Sequence, residues 1–375
     1  MKISTIRYYR PRPSNPTINQ SDLVVTVETD TGLLGVGEGG TPDLIEQCGA
    51  MLIGEDPARI QHLWQLMYRG YFYPAGREKL HALGALDLAL WDLKGKALNV
   101  PVYELLGGRT REYIECYSTS YPWQGSLAET ARACLAAGFR AFRTAVADPN
   151  DGVFNARRMV DETLAQCQAI RDAVGPAGEW SIDFHTRLDM ADAVRLADRL
   201  AVLNPLFVED PLRSENPGAL AALRSQVRVP IAVGEQFGDR WDLNQLVEAH
   251  LIDYARVTLP NVGGLTEWIK IAALCETHYV GLVPHFTGPI ALAALTHALA
   301  AWPGPALMEI AGAAPKQPAH LPRGCDFRDG KLWPAARPGL GVEFDPASAE
   351  LLGEITERRQ PIPLFRRPDG SYTNW

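Results

Sequence analysis

From residue 113 onward the sequence alternates between short apolar runs, rich in β-branched and aromatic residues, and longer amphipathic segments. The short runs occupy 113–118, 139–146, 180–184, 206–209, 231–235, 254–259, 280–284 and 306–310. The amphipathic segments between them occupy 127–137, 155–174, 190–203, 217–226, 241–249, 265–277 and 289–301. Continuously apolar strands that alternate with helices belong to a parallel sheet covered on its faces. Eight such strands joined by seven helices over roughly 200 residues are enough to close a barrel. An open doubly wound sheet is the competing arrangement. This part of the chain has no GxGxxG turn after a strand and no GxxxxGK[ST] loop, so a nucleotide-binding sheet has no support.

Residues 1–112 read as a separate α+β block. Two strand-like runs, 23–29 and 33–38, flank Asp30-Thr31-Gly32 as a hairpin would. Helical text follows at 56–68 and 79–98; in the second, Leu83, Leu86, Leu90, Leu93 and Leu98 recur at helix spacing. The segment 325–375 carries turn chemistry at Asp329-Gly330, Pro338-Gly339 and Pro368-Asp369-Gly370. A short helix is expected near 347–358, and the tail is expected to return to the N-terminal block. The barrel then spans 113–324.

Charge and cysteine content narrow the partners. The 36 basic residues are outnumbered by 44 acidic ones, a net charge of −8, which argues against nucleic acid. The six cysteines are scattered without a CxxC pair and read as free thiols of a reducing compartment. The first residues hold no apolar run of the secretory kind, and the most apolar stretches are too short for a membrane span. A cytoplasmic protein that binds neither membrane nor nucleic acid is expected.

In a β/α barrel, chemistry gathers where the strands end. The third strand ends in Asp183, with His185 two residues on; the fourth ends in Glu209-Asp210; the fifth ends in Glu235. The three carboxylates Asp183, Glu209 and Glu235 are 26 residues apart at each step, one per β/α unit. A single one would be read as a helix cap. Three at one height would repel one another unless a cation lay between them, and hard oxygen ligands suit Mg²⁺, with Mn²⁺ as a substitute. His185 is expected on the face of Asp183, because i and i+2 share a side of a strand. His285, at the end of strand seven, comes from across the barrel. Two imidazoles facing each other over such a site suit proton transfer. Glu309, on strand eight, is a candidate for binding substrate or balancing charge.

Together with Leu86–Lys96 (LDLALWDLKGK), 101–108 (PVYELLGG), 261–265 (NVGGL) and 284–289 (PHFTGP), these residues resemble the mandelate racemase subgroup of the enolase superfamily along the whole chain, and most of all its galactonate dehydratase-type enzymes. The resemblance implies an α+β capping domain (1–112) on a (β/α)₇β modified TIM barrel (113–324), with 325–375 returning to the cap. It implies Mg²⁺ held by Asp183, Glu209 and Glu235. It implies His285 as the base that removes the α-proton of a sugar acid, an aldonate such as a hexonate or pentonate. His185 would be the acid that expels the β-hydroxyl to leave a 2-keto-3-deoxy acid, and Glu309 would hydrogen-bond the substrate carboxylate. A homo-oligomer, dimer or octamer, is implied as well.

Two departures stand out. The base histidine of such enzymes usually pairs with an aspartate at the end of strand six, where this chain has Thr258. Strand two lacks the Lys-x-Lys pair of the racemases and reads Phe142-Arg143-Thr144, leaving Arg143 as its charged group and a candidate substrate contact. An epimerase of a 2-hydroxy acid, or a metal-binding relative with little turnover, are the alternative functions. Recognition is expected from the loops 11–20 and 71–77.

Overall fold

Strong local signals place the strands, and their pairing closes the ring. The computed structural model describes residues 1–12, 22–148, 152–359 and 364–373. Eight parallel strands, Ile114–Thr119, Ala141–Ala145, Glu179–Asp183, Val208–Glu209, Ile231–Val233, Tyr254–Ala255, Gly281–Leu282 and Met308–Ala311, follow one another around a barrel. The eighth pairs with the first, Met308 opposite Cys116, and the seventh meets the eighth through Leu282 and Ala306. Seven helices fill the crossovers, the last two being Leu265–Thr277 and Pro289–Ala301. Apolar residues on strands and helices pack into a large core between them, and a smaller cluster on or beside the strands, Tyr117, Ala141, Phe207, Ala232, Val283 and Leu307, packs apart from it. Among the described residues, no helix is long and apolar enough to cross a membrane.

The cap is an antiparallel sheet ordered Ala349–Ile355, Ile3–Pro11, Val24–Thr29, Leu34–Glu38. The long helix Arg77–Leu98 lies across it. That approach is close enough to exclude side chains from one strand: a Cβ at Gly37 would sit 1.9 Å from the carbonyl oxygen of Ala85. The tail corrects one expectation. Residues 349–355 (AELLGEI) are rich in helix formers, yet they form a strand behind a short 3-10 turn, Pro346–Ser348. Pairing with the first strand, with Ile355 opposite Ile6, outweighs local propensity, which is worth only tenths of a kcal/mol per residue.

Two buried acids, Asp87 and Glu38, join the cap to the barrel through backbone N–H groups, and a third, Asp92, ties the cap helix to its own sheet and to the tail. Asp87 accepts from the N–H and hydroxyl of Thr266 (2.9 and 2.6 Å), at the start of helix Leu265–Thr277. Glu38 accepts from the N–H groups of Ile290 and Ala291 (3.1 and 2.8 Å), at the start of helix Pro289–Ala301. Asp92 accepts from Val36 and Leu340 (2.9 and 2.8 Å) and pairs with Lys96. Carboxylates at helix N-termini meet the unpaired donors and the positive end of the dipole. Gly288 makes the second contact possible, since a Cβ there would fall 2.3 Å from Glu38 Oε1.

Candidate active site

Strand register sets the first two acids side by side. Asp183 and Glu209 are the last residues of strands three and four and pair directly in the parallel ladder. Asp210 follows with a left-handed backbone (φ 39°), which keeps its carboxyl buried instead of alternating away. Glu235 lies just beyond strand five. Carboxyl oxygens of Glu209, Asp210 and Glu235 lie within 4.8 Å of one another. The compact cluster therefore includes Asp210, which the spacing argument passed over. Asp183 stands beside it, turned elsewhere: one oxygen accepts the His185 N–H (2.6 Å) and the other pairs with Arg143.

Two guanidiniums compensate part of this charge. Arg143 also reaches Glu209 (3.3 Å) and Glu309 (3.6 Å). Arg256, 1 % exposed, contacts Glu209 (2.6 Å), Glu235 (3.1 Å) and Glu309 (2.6 Å) and donates to the Tyr117 hydroxyl. Sequence reading missed Arg256. The available signal was its position two residues before Thr258 on an otherwise apolar strand, which by alternation puts both on the inner face. A lone arginine there invites a surface reading, because arginines are seldom buried without partners.

The five acids Asp183, Glu209, Asp210, Glu235 and Glu309 outnumber the two guanidiniums by three. Burial, helped by the neighbouring carboxylates and only partly offset by the guanidiniums, pushes Glu209 and Asp210 well above the usual carboxylate range. Glu209 Oε2 and Asp210 Oδ2 are buried and have no hydrogen-bond partner. Uncompensated charge, orphaned oxygens and an all-oxygen donor set fit a divalent cation of the Mg²⁺ or Mn²⁺ kind. Burial also acts on Glu235, but His285 and Arg256 outweigh it and hold that carboxyl below its ordinary value.

The two histidines differ in setting. His285 is buried. Its Nδ1 lies 3.3 Å from Thr258 Oγ1 and its Nε2 lies 3.3 Å from Glu235 Oε2. Burial lowers its pKa, so the neutral imidazole dominates. His185 is exposed at the mouth. The expectation that it shares a strand face with Asp183 fails in its premise: the strand ends at Asp183, and His185 and Thr186 have φ of 47° and 57°. A turn, not alternation, brings it to the cavity. Glu309 is fully buried. It accepts from Arg256 and from the N–H of Phe286 (2.9 Å); burial acts to raise its pKa, but the charges of Arg256 and Arg143 outweigh that and draw it to about 2. In this setting Glu309 anchors the guanidiniums.

A cavity of about 540 Å³ opens over these groups, lined by Asp183, Glu235, His185, His285, Arg143 and Arg256 among others. A smaller one of about 240 Å³ lies on the far side of Phe286, against Glu38 and Glu309. Of the two expected recognition loops, 71–77 carries the exposed Phe72 and Tyr73, and its last residue, Arg77, lines the larger cavity. Residues 13–20 of the other lie outside the described residues.

Comparison with known proteins agrees with this architecture. Residues 10–107 match the mandelate racemase / muconate lactonizing enzyme N-terminal domain, and residues 126–348 match the enolase C-terminal domain-like family. A D-galactonate dehydratase of Ralstonia pickettii (strain 12J) is 36% identical over all of both chains. A D-galactonate dehydratase family member of Streptomyces bingchenggensis is 33% identical over 98% of this chain and 100% of its own. A crystal structure of an enolase from Agrobacterium radiobacter, bound to Na and L-malate, superposes with a TM-score of 0.83 at 29% identity, covering 99% of each chain. The mandelate racemase/muconate lactonizing enzyme from Jannaschia sp. CCS1 superposes with a TM-score of 0.84 at 29% identity, over 93% of this chain and 96% of that one. Barrel, cap, carboxylate cluster and full-length likeness thus converge: the chain belongs to the mandelate racemase / muconate lactonizing enzyme family of the enolase superfamily.

Proposed function

We propose that this chain is an acid-sugar dehydratase, a Mg²⁺-dependent hydro-lyase that removes water from a sugar acid. The observation that carries the reading is one barrel mouth holding both an oxygen cluster suited to a divalent cation and a buried neutral imidazole. The D-galactonate dehydratases that align along the whole chain support it.

Glu209, Asp210, Glu235 and Asp183 would hold the ion. When bound, it supplies positive charge that acidifies the C–H beside the substrate carboxylate. Thr258 fixes the imidazole by accepting from Nδ1–H, which leaves the Nε2 lone pair facing the cavity. His285 Nε2 takes the α-proton; the resulting imidazolium donates to Glu235 Oε2. The electron pair of the broken C–H bond is first delocalised into the substrate carboxylate, and it then forms the Cα–Cβ double bond as the β-hydroxyl leaves. His185, in contact with solvent, gives that hydroxyl a proton, so water departs. The remaining enol tautomerises to a 2-keto-3-deoxy acid. Arg143, facing the cavity from strand two, binds the substrate carboxylate.

Isotope exchange and product analysis test the assignment. A sugar-acid panel in D₂O should yield α-keto acid detectable with semicarbazide. His285→Asn should lose both product and α-hydrogen exchange, whereas His185→Asn should lose product and keep exchange. Exchange retained in His285→Asn would refute its role as base. A stereoisomer without keto acid would mean epimerisation.

A further inference from the structure

The lining of the larger cavity carries cations beyond the two that pair with the acid cluster. Arg77 reaches it from the start of the cap helix Arg77–Leu98, and Arg213 from the loop after barrel strand four. Both line the same 540 Å³ space as Asp183, Glu235 and His285. Arg213 donates from Nε to Glu215 Oε1 (2.7 Å) and pairs with it through Nη2. Glu215 also feels Arg77, which together with Arg213 holds its carboxyl below the usual range. Among the described residues Arg77 makes no hydrogen bond or ion pair of its own, while Arg213 keeps Nη1 unengaged. Two guanidiniums against one carboxylate leave a net positive charge at this part of the lining. The same lining includes neutral groups, Ser214, Gln236 and Asn261, which can meet hydroxyls.

On the dehydratase reading the first carboxylate would be bound by Arg143 beside the acids that would hold the cation. An aldonate ends in a primary alcohol, which gives an open guanidinium nothing ionic to bind. A planar fork of N–H donors matches a carboxylate. We propose that the substrate is a sugar diacid, an aldarate, whose second carboxylate is received by Arg77 and Arg213. This inference rests on the dehydratase reading above and narrows its substrate class from the aldonates expected from sequence. One guanidinium belongs to the cap and the other to the barrel, so the diacid would bridge the two domains.

The test compares matched pairs: galactarate with galactonate, glucarate with gluconate, mannarate with mannonate. For the best pair, kcat/KM should favour the diacid by on the order of tenfold or more, the size of one charge-assisted contact. In Arg77→Gln that ratio should fall by about the same factor, through KM for the diacid. A ratio near one, a preference for the aldonate, or a ratio unchanged in Arg77→Gln would overturn the proposal. Calorimetric titration of the Mg²⁺-saturated protein with the same pairs gives a second readout. Tighter diacid binding that Arg77→Gln abolishes, without any keto acid formed, would sustain the diacid site and sink the dehydratase reading. Equal binding of both acids, or none, would sink the diacid proposal itself.

Discussion

Buried carboxylates appear in two places in this molecule, and the protein treats them differently. At the seam where the cap meets the rest of the chain, Glu38 and Asp87 accept backbone N–H groups of barrel helices, Asp92 accepts those of Val36 in the cap and Leu340 in the tail, and each has its oxygens engaged. At the barrel mouth, Glu209, Asp210 and Glu235 crowd together, guanidiniums cover only part of them, and two oxygens stay without a partner. The seam acids are satisfied by the fold and so serve stability. The mouth acids are left in a state that a bound cation would complete. Partner chemistry, not burial, separates a structural carboxylate from a candidate ligand.

The largest expected effect is at the mouth. Glu209→Gln should abolish Mg²⁺ binding in calorimetry and lower turnover by on the order of 10³-fold or more, since the ion's contribution is several kcal/mol. Unchanged Mg²⁺ affinity would place the ion elsewhere.

Arg256→Leu should come next. It strips Glu209, Glu235 and Glu309 of their buried counter-charge and should destabilise the chain by about 3–5 kcal/mol in denaturant titration. Saturating Mg²⁺ should recover part of that loss. No recovery would mean that Arg256 and the ion do not share these acids.

At the seam the effect should be smaller and blind to metal. Asp87→Ala leaves the Thr266 N–H and hydroxyl without their acceptor, for a loss of about 1–3 kcal/mol. Mg²⁺ affinity should stay within about twofold, as a residue outside the mouth implies. A large change in affinity would erase the distinction between the two regions.

The smallest effect is in pH dependence. Burial pushes both Glu38 and Asp87 up to about 7 in the folded chain, above their ordinary values of 4.5 and 3.8. A raised folded pKa means that folding favours the protonated acid. That stability is complete below the unfolded pKa and is lost as pH rises through about 7. Relative to wild type, Asp87→Asn should therefore flatten the decline in stability between about pH 4 and pH 7. Identical profiles would show that Asp87 is already ionised in the fold at low pH.

Much of the site could be read from residue spacing, because a β/α unit of constant length returns the chain to the same height on the barrel. That periodicity led to Asp183, Glu209 and Glu235, and the ladder does pair Asp183 with Glu209. His285 and Thr258, on neighbouring strands, were legible for the same reason and stand 3.3 Å apart. Asp210 was not, because its inward turn depends on a left-handed backbone that no local pattern announces. His185 reached the cavity by a turn where alternation had been expected. The strand at Ala349–Ile355 reads as helix by composition, since its partner lies more than 340 residues away, with Ile355 opposite Ile6.

Sequence alone determined the succession of eight strands and seven helices, and with it the barrel and the ring of acids at its mouth. Periodic burial is a local property, repeated unit by unit. Tertiary structure alone decided how those acids are compensated. Arg256, just after strand six, meets acids from strands four and eight and from beyond the end of strand five, and Arg77 of the cap joins Arg213 of the barrel in lining one cavity. These relations join residues far apart in the chain, and charge interacts through space, so only the closed barrel with its cap in place could set them.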